Sequence, residues 1–143
     1  MARVNPYLNF NGNTEAAFNF YKSVFGGDFM MLQRFKDTPH GDRMSETDKE
    51  KIMHIALPIA DGTILMATDI LESMGQQLNA GNNFSLAIAP DTMDEGARFF
   101  NALAEGGKVD MPFEKAFWGA WFGMLTDKFG IQWMVNFDEK QPG

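Results

Sequence analysis

Two histidines, His40 and His54, are the only side chains of this 143-residue sequence whose ordinary titration falls near neutral pH. His54 stands in Met53-His54-Ile55-Ala56-Leu57, an apolar segment of strand character that would hold an imidazole in place as a general base. A hydrogen-bonded structural histidine is the alternative role for the same residue. His40 lies in a charged stretch and is the weaker candidate. There is no cysteine, which removes disulfides, thiolate nucleophiles, cysteine-type zinc sites and iron–sulfur clusters. No serine near His54 has the further partners that a nucleophilic triad needs. The aromatic run over 113–122, with Phe117, Trp118, Trp121 and Phe122, suits either a flat wall for an organic ligand or a core or dimer contact. Eleven methionines suit an adaptable apolar pocket or plain core packing.

The charge balance narrows the partners. Twelve basic against nineteen acidic side chains give a net charge of −7, with no local basic patch. Sequence-independent binding to nucleic acid or to an anionic membrane is therefore disfavoured. Apolar residues at 45% and charged residues at 22% are a globular composition, and the length suits a single domain over 1–143. The start leads straight into short alternation without an apolar leader, and stretches such as Ile64 to Ala67 are too short to span a bilayer. The expectation is a soluble cytoplasmic protein.

The elements that position these residues repeat. Leu8-Asn9-Phe10 leads through a polar turn to Ala17, Phe20, Tyr21 and Val24, then to Gly26-Gly27 and a strand ending at Phe35. Leu86-Ala87-Ile88 leads through Pro90-Asp91-Thr92 to Ala97, Phe99, Phe100 and Leu103, then to Gly106-Gly107 and a strand ending at Phe113. The offset between the halves stays at 78 to 80 residues. Asn13-Thr14-Glu15 and Thr92 with Glu95 read as helix N-termini, and Gly26 and Gly106 as C-terminal stops. Ile52 to Ile59 and Thr63 to Thr68 flank the hairpin pair Asp61-Gly62; Trp121 to Asp127 and Ile131 to Phe137 flank Lys128-Phe129-Gly130. Each half is thus βαβββ. Module 1 is placed at about 3–69 and module 2 at about 82–138. Residues 37–50 read as a long charged loop, solvated or acting as a lid, and 69–82 as a linker.

A doubled βαβββ unit resembles the vicinal oxygen chelate superfamily of glyoxalase I, extradiol dioxygenases and bleomycin-resistance proteins. Pro6-Tyr7-Leu8-Asn9-Phe10-Asn11-Gly12-Asn13, Phe25-Gly26-Gly27, Met53 to Leu57, and Trp118-Gly119 through Asp127-Lys128-Phe129-Gly130-Ile131-Gln132-Trp133 are similar to the PhnB-like branch. The resemblance implies an α+β fold, with curved mixed sheets around a cleft. It also brings a demethylubiquinone methyltransferase label, although no glycine-rich loop after a strand, followed by an acid, is present to bind a methyl donor. Metal-using superfamily members take ligands from the first, fourth, fifth and eighth strands. Those positions fall here on Asn5 or Pro6, Met66, Ser85 and Met134, a poor donor set for divalent first-row metals.

Strand alternation completes the expected cleft. Gln132, Met134 and Asn136 oppose the apolar face of the last strand, and His54 opposes Met53, Ile55, Leu57 and Ile59. Ser85 opposes Phe84, Leu86 and Ile88, while Asn5, Tyr7 and Asn9 oppose Leu8 and Phe10. The expected ligand cleft between the modules is lined by Tyr7, Asn9, His54, Met66, Ser85, Trp118, Gln132, Met134 and Asn136. The expected function is binding of a small molecule without metal or cofactor, in a homodimer. The rival is a glyoxalase-like lyase or isomerase, or an oxygenase, with a noncanonical metal site.

Overall fold

The computed structural model describes residues 2–139, in two compact units, one ending at Asn79 and the next starting at Ala80. The first contains β1 (Tyr7–Phe10), α1 (Thr14–Phe25), β2 (Met31–Arg34), α2 (Glu46–Glu50), β3 (Ile52–Ala60) and β4 (Thr63–Asp69). The second contains β5 (Leu86–Ile88), α3 (Met93–Ala104), β6 (Lys108–Lys115), β7 (Trp121–Thr126) and β8 (Gln132–Phe137). Each unit holds one four-stranded mixed sheet, in the orders β1-β4-β3-β2 and β5-β8-β7-β6. The first and last strands of each unit pair in parallel, and the other pairs are antiparallel. This is the α+β, twice-βαβββ architecture expected from the sequence. No helix among the described residues is long and apolar enough to cross a membrane.

In the first unit α1 lies on the sheet face carrying Leu8, Phe10, Ile55, Leu57, Leu65 and Ala67, all buried. Its own buried face is Ala17, Phe18, Tyr21 and Val24; Phe20, expected there, is half-buried. Asn13 stands at the N-cap but makes no side-chain cap bond. The buried Asp69 carboxylate holds the start of the helix by other donors. Its Oδ1 accepts from the Gly12 N–H at 3.0 Å, the Thr14 N–H at 3.1 Å and the Thr14 hydroxyl at 2.6 Å, and its Oδ2 accepts from the Ile52 N–H at 2.8 Å.

The third strand departs from simple alternation. Gln33 pairs with His54 and the next residue, Arg34, with Ile52, so Met53 is the extra residue of a bulge. Ile52 is buried with Ile55 and Leu57, whereas Met53, expected on the core face, is only half-buried. A second register shift between Pro58 and Ala60 leaves Ile59 half-buried as well.

The charged stretch 37–50 is not the open loop expected. It begins on the last residue of a 3₁₀ turn at Phe35–Asp37 and contains another at Gly41–Arg43, and α2, whose Ser45 cap accepts from the Asp48 N–H at 3.1 Å. Buried Asp48 accepts from the Ser73 hydroxyl at 2.6 Å and pairs with Lys51 at 3.1 Å. The expected linker 69–82 is thereby pinned near its start: Asp69 ends β4, Ile70 and Leu71 are buried, and Ser73 is tied to α2.

In the second unit α3 packs on β8, β7 and β6 over Trp133, Val135 and Leu125. Thr92 caps it, accepting from the Glu95 N–H at 3.1 Å, while the Glu95 carboxylate takes the Asp91 N–H at 3.0 Å. Gly123 allows the close approach, since a Cβ there would lie 2.7 Å from Phe113 Cα and 2.7 Å from Phe100 Cε2.

Replacing Asp69 with alanine strands several buried donors at once, and a loss of roughly 3 kcal/mol or more is expected in denaturant unfolding. Wild-type stability in that variant would mean that water replaces the carboxylate. The Ser73 hydroxyl, and then the Lys51 ammonium, hold the Asp48 carboxyl below the usual carboxylate range. Because the folded-state value lies below the unfolded one, this contribution is complete above that range and is lost as pH falls through the lowered value. Thermal midpoints taken from about pH 6 to about pH 3 are expected to fall with acid. Asp48→Asn starts lower at neutral pH and falls less steeply; parallel curves would show that Asp48 carries no linked stability.

Candidate functional site

Each sheet has one face without a helix, and the candidate residues lie on these two faces. In the first sheet the register opposes Tyr7 to Met66 and Asn9 to Thr68 across the parallel β1–β4 pair. Met66 opposes Ala56, Ala56 opposes Met31, and Gln33 opposes His54. Tyr7, Asn9, His54 and Met66 therefore share one surface, with Thr68, Gln33 and Met31 as neighbours that local alternation does not reveal. Their strands become adjacent only once the pairing order is known. The Tyr7 hydroxyl lies 3.3 Å from His54 Nδ1, and the two rings stack at 5.7 Å between centroids. Tyr7 is 46% exposed and His54 half-buried, so neither ring belongs to the core.

Two interactions fix this surface from behind. Asp69, next to Thr68, holds the turn after β1 and the first residue of β3. Arg34 closes the β2 edge: its two terminal nitrogens donate to Glu15 of α1 at 2.6 and 3.2 Å, and one also to the Glu50 carbonyl at 2.8 Å. That bidentate contact lowers the Glu15 carboxyl below its ordinary range and raises the Arg34 guanidinium further above neutrality.

In the second sheet Ala87 opposes Met134, Met134 opposes Met124, and Met124 opposes Met111. Gln132 opposes Thr126 and Asn136 opposes Phe122. The Ser85 hydroxyl lies 3.4 Å from Gln132 Oε1. Ser85, Gln132, Met134 and Asn136 thus share the helix-free face. Trp118 is 54% exposed in the β6–β7 connection and meets Phe122 edge-on at 5.8 Å. Met111, Met124 and Thr126 were not anticipated, whereas Phe122 belongs to the aromatic run expected to form either a ligand wall or a core or dimer contact. They lie on strands whose contribution to the face depends on cross-strand register, and β6 carries two register shifts of its own.

The superfamily's divalent metal does not fit the donors at these positions. Tyr7, not Asn5 or Pro6, stands opposite Met66; the Asn5 side-chain oxygen accepts from the Ile64 N–H at 3.0 Å, and the Pro6 carbonyl from the Met66 N–H at 3.0 Å. By internal equivalence, Ser85 with Gln132 repeats Tyr7 with Met66. A phenol, a thioether, a hydroxyl and either Gln132 or Met134 include no carboxylate and no imidazole. Among the described residues no three His, Cys, Asp or Glu side chains are grouped to hold an ion. The Asn11–Asn13 turn between β1 and α1 is committed too, since the Gly12 and Thr14 N–H groups both go to Asp69 rather than facing an anionic ligand.

Two mixed four-stranded sheets, each with a helix on one face, define the glyoxalase/bleomycin-resistance class. A solved protein of that description from Albidiferax ferrireducens T118 shares the fold over 93% of this chain and 95% of its own, with TM-score 0.62 and 15% identity. Within this class the chain belongs to the PhnB-like family, whose model, described as 3-demethylubiquinone-9 3-methyltransferase, matches residues 2–136. It is similar to protein PA1353 from Pseudomonas aeruginosa, at 39% identity over 96% of this chain and 98% of that one, with TM-score 0.84. Protein YjdN of Escherichia coli K12 is 30% identical over 147 residues, covering 97% of each chain.

Proposed function

We propose that this protein binds a small polar organic molecule on the helix-free face of the first sheet, with Tyr7 and His54 at its centre and Asn9 and Met66 beside them. The observation that carries the reading is the contact of an imidazole and a phenol outside the core. Among the described residues, no fully buried side-chain nitrogen or oxygen lacks a hydrogen-bond partner, so polar groups needed for folding are satisfied internally. The Tyr7–His54 pair, by contrast, spends one long hydrogen bond on itself and leaves polar capacity at a half-open surface. The carboxamides of Asn9 and Gln33 add neutral donors and acceptors and the Thr68 hydroxyl, which donates to the Ile52 and Asp69 carbonyls, adds an acceptor, while Tyr7, Met66 and Met31 offer apolar area. Ser85, Gln132, Asn136 and Trp118 form a comparable set on the second sheet. The ligand is taken up without a divalent metal, in the cytoplasm of the cell.

Differential scanning fluorimetry against a panel of neutral phenols, amides and polyols, followed by calorimetric titration of each hit, tests the reading. His54→Ala is expected to weaken binding about tenfold or more while the thermal midpoint stays close to that of the parent. If the substitution instead costs more than roughly 2 kcal/mol of stability, the imidazole is structural and the proposal fails.

The same proposal makes the protein a homodimer. Met30, just before β2, and Leu32 on it are 61% and 39% exposed, apolar side chains at a sheet edge that pairing would cover. Sedimentation at micromolar concentration is expected to give about twice the 16.1 kDa chain mass; the monomer mass would overturn it.

A further inference from the structure

We propose that the second sheet carries a site for a soft monovalent cation, copper(I) or its chemical analogue silver(I), on the thioethers of Met111, Met124 and Met134. This inference is independent of the Tyr7–His54 site, which belongs to the other unit. Met111 is the direct cross-strand partner of Met124, and Met124 of Met134, so three methionines form one row over β6, β7 and β8. Met124 lies between buried Gly123 and Leu125, and Met134 between buried Trp133 and Val135, so both side chains project away from α3. Both are half-buried, and Met111 is 45% exposed, so the row is reachable from solvent.

The geometry suits one shared ion. Adjacent strands run about 4.8 Å apart and directly opposed Cβ atoms about 5 Å apart. The two rotatable bonds that precede each sulfur let the Met111 and Met134 thioethers swing toward the central residue, Met124. Residue type points the same way. Strand positions favour β-branched and aromatic side chains, so three thioethers in consecutive cross-strand places are not what strand propensity selects. The row ends at Ala87, whose small side chain leaves the Met134 side open.

Ligand chemistry then sets the selectivity. Three neutral, polarisable sulfurs stabilise a thiophilic d10 cation and offer little to zinc or nickel, which take imidazole, thiolate or carboxylate donors. The thioethers that make this fold's divalent site a poor one are thus of the type that a soft ion prefers.

The test uses the full chain under anaerobic conditions, titrated with copper(I) in competition with bicinchoninate, and with silver(I) followed by native mass spectrometry. One ion per chain is expected, with no comparable binding of zinc or nickel. Met124→Leu, a near-isosteric change, is expected to weaken binding at least tenfold, and the triple leucine variant to abolish it. Met74→Leu, at an exposed methionine outside the row, leaves binding as in the parent. In the unmodified protein, methyl-labelled methionine spectra should move at these three residues together, and X-ray absorption should show sulfur ligands only; this pair decides if the triple variant does not fold. Binding spread evenly over the methionines, unchanged affinity in Met124→Leu, or nitrogen and oxygen ligation would overturn the proposal. A row that ignores both ions but binds a flat aromatic probe is an apolar platform, and that result also overturns it.

Discussion

The carboxylate of Asp69 is the contact from which the first unit takes its shape. It sits at the end of β4, buried, and its two oxygens hold the turn after β1, the start of α1 and the first residue of β3. Three segments distant in sequence are thereby brought to one point by charge-assisted bonds shielded from water. Fixing the β1 turn against the end of β4 fixes the parallel register that opposes Tyr7 to Met66. Fixing Ile52 sets where β3 enters the sheet, just before the bulge that lets His54 face Tyr7. In the second unit the register position of Asp69 is taken by Val135, which carries no carboxylate. There buried Asp127, after β7, accepts from the Phe129 and Ile131 N–H groups and from the Trp133 indole N–H, tightening the β7–β8 turn from within.

Sequence periodicity reveals the repeat because each half needs one apolar strand face and one apolar helix face to close its core, and both leave local patterns. The strand-helix-strand openings, both hairpins and the two-unit layout follow from those patterns. Ser85, Gln132, Met134 and Asn136 are also legible, since they alternate with Leu86, Trp133 and Val135 on strands without bulges. Tyr7 and Asn9 follow from Leu8 and Phe10 in the same way.

What alternation hides is non-local. Met53 looks like a core residue until the register shift at Gln33 and Arg34 shows it to be the bulged position. Asn13 looks like a cap, yet it makes no side-chain cap bond, and the helix start is held by a carboxylate 56 residues later that takes the Gly12 and Thr14 N–H groups. The acid-rich stretch before Ile52 looks solvated because its charges dominate its composition; Asp48 is nevertheless buried, since Ser73 and Lys51 satisfy its carboxylate and Ser45 its backbone N–H. The Met111–Met124–Met134 row is invisible for a related reason: its members come from three strands, and only cross-strand pairing aligns them.

Equivalent positions in the two units now carry different chemistry. Tyr7 beside Met66 corresponds to Ser85 beside Gln132, and Asn9 beside Thr68 to Ala87 beside Met134. The row that is polar in the first sheet, with His54 and Gln33 at its far end, is a thioether row in the second. The helix-covered faces cannot diverge this freely, because each must still fill a closed core: Gly123 and Phe100 pack so tightly that even one added methyl has no room. The helix-free faces are released from that constraint by half-exposure. A shared fold therefore constrains the sheet and its helix while leaving ligand choice to a few outward positions. That division is why the PhnB-like family relationship settles the architecture of this chain, and why its chemistry has to be argued from Tyr7, His54 and the methionine row themselves.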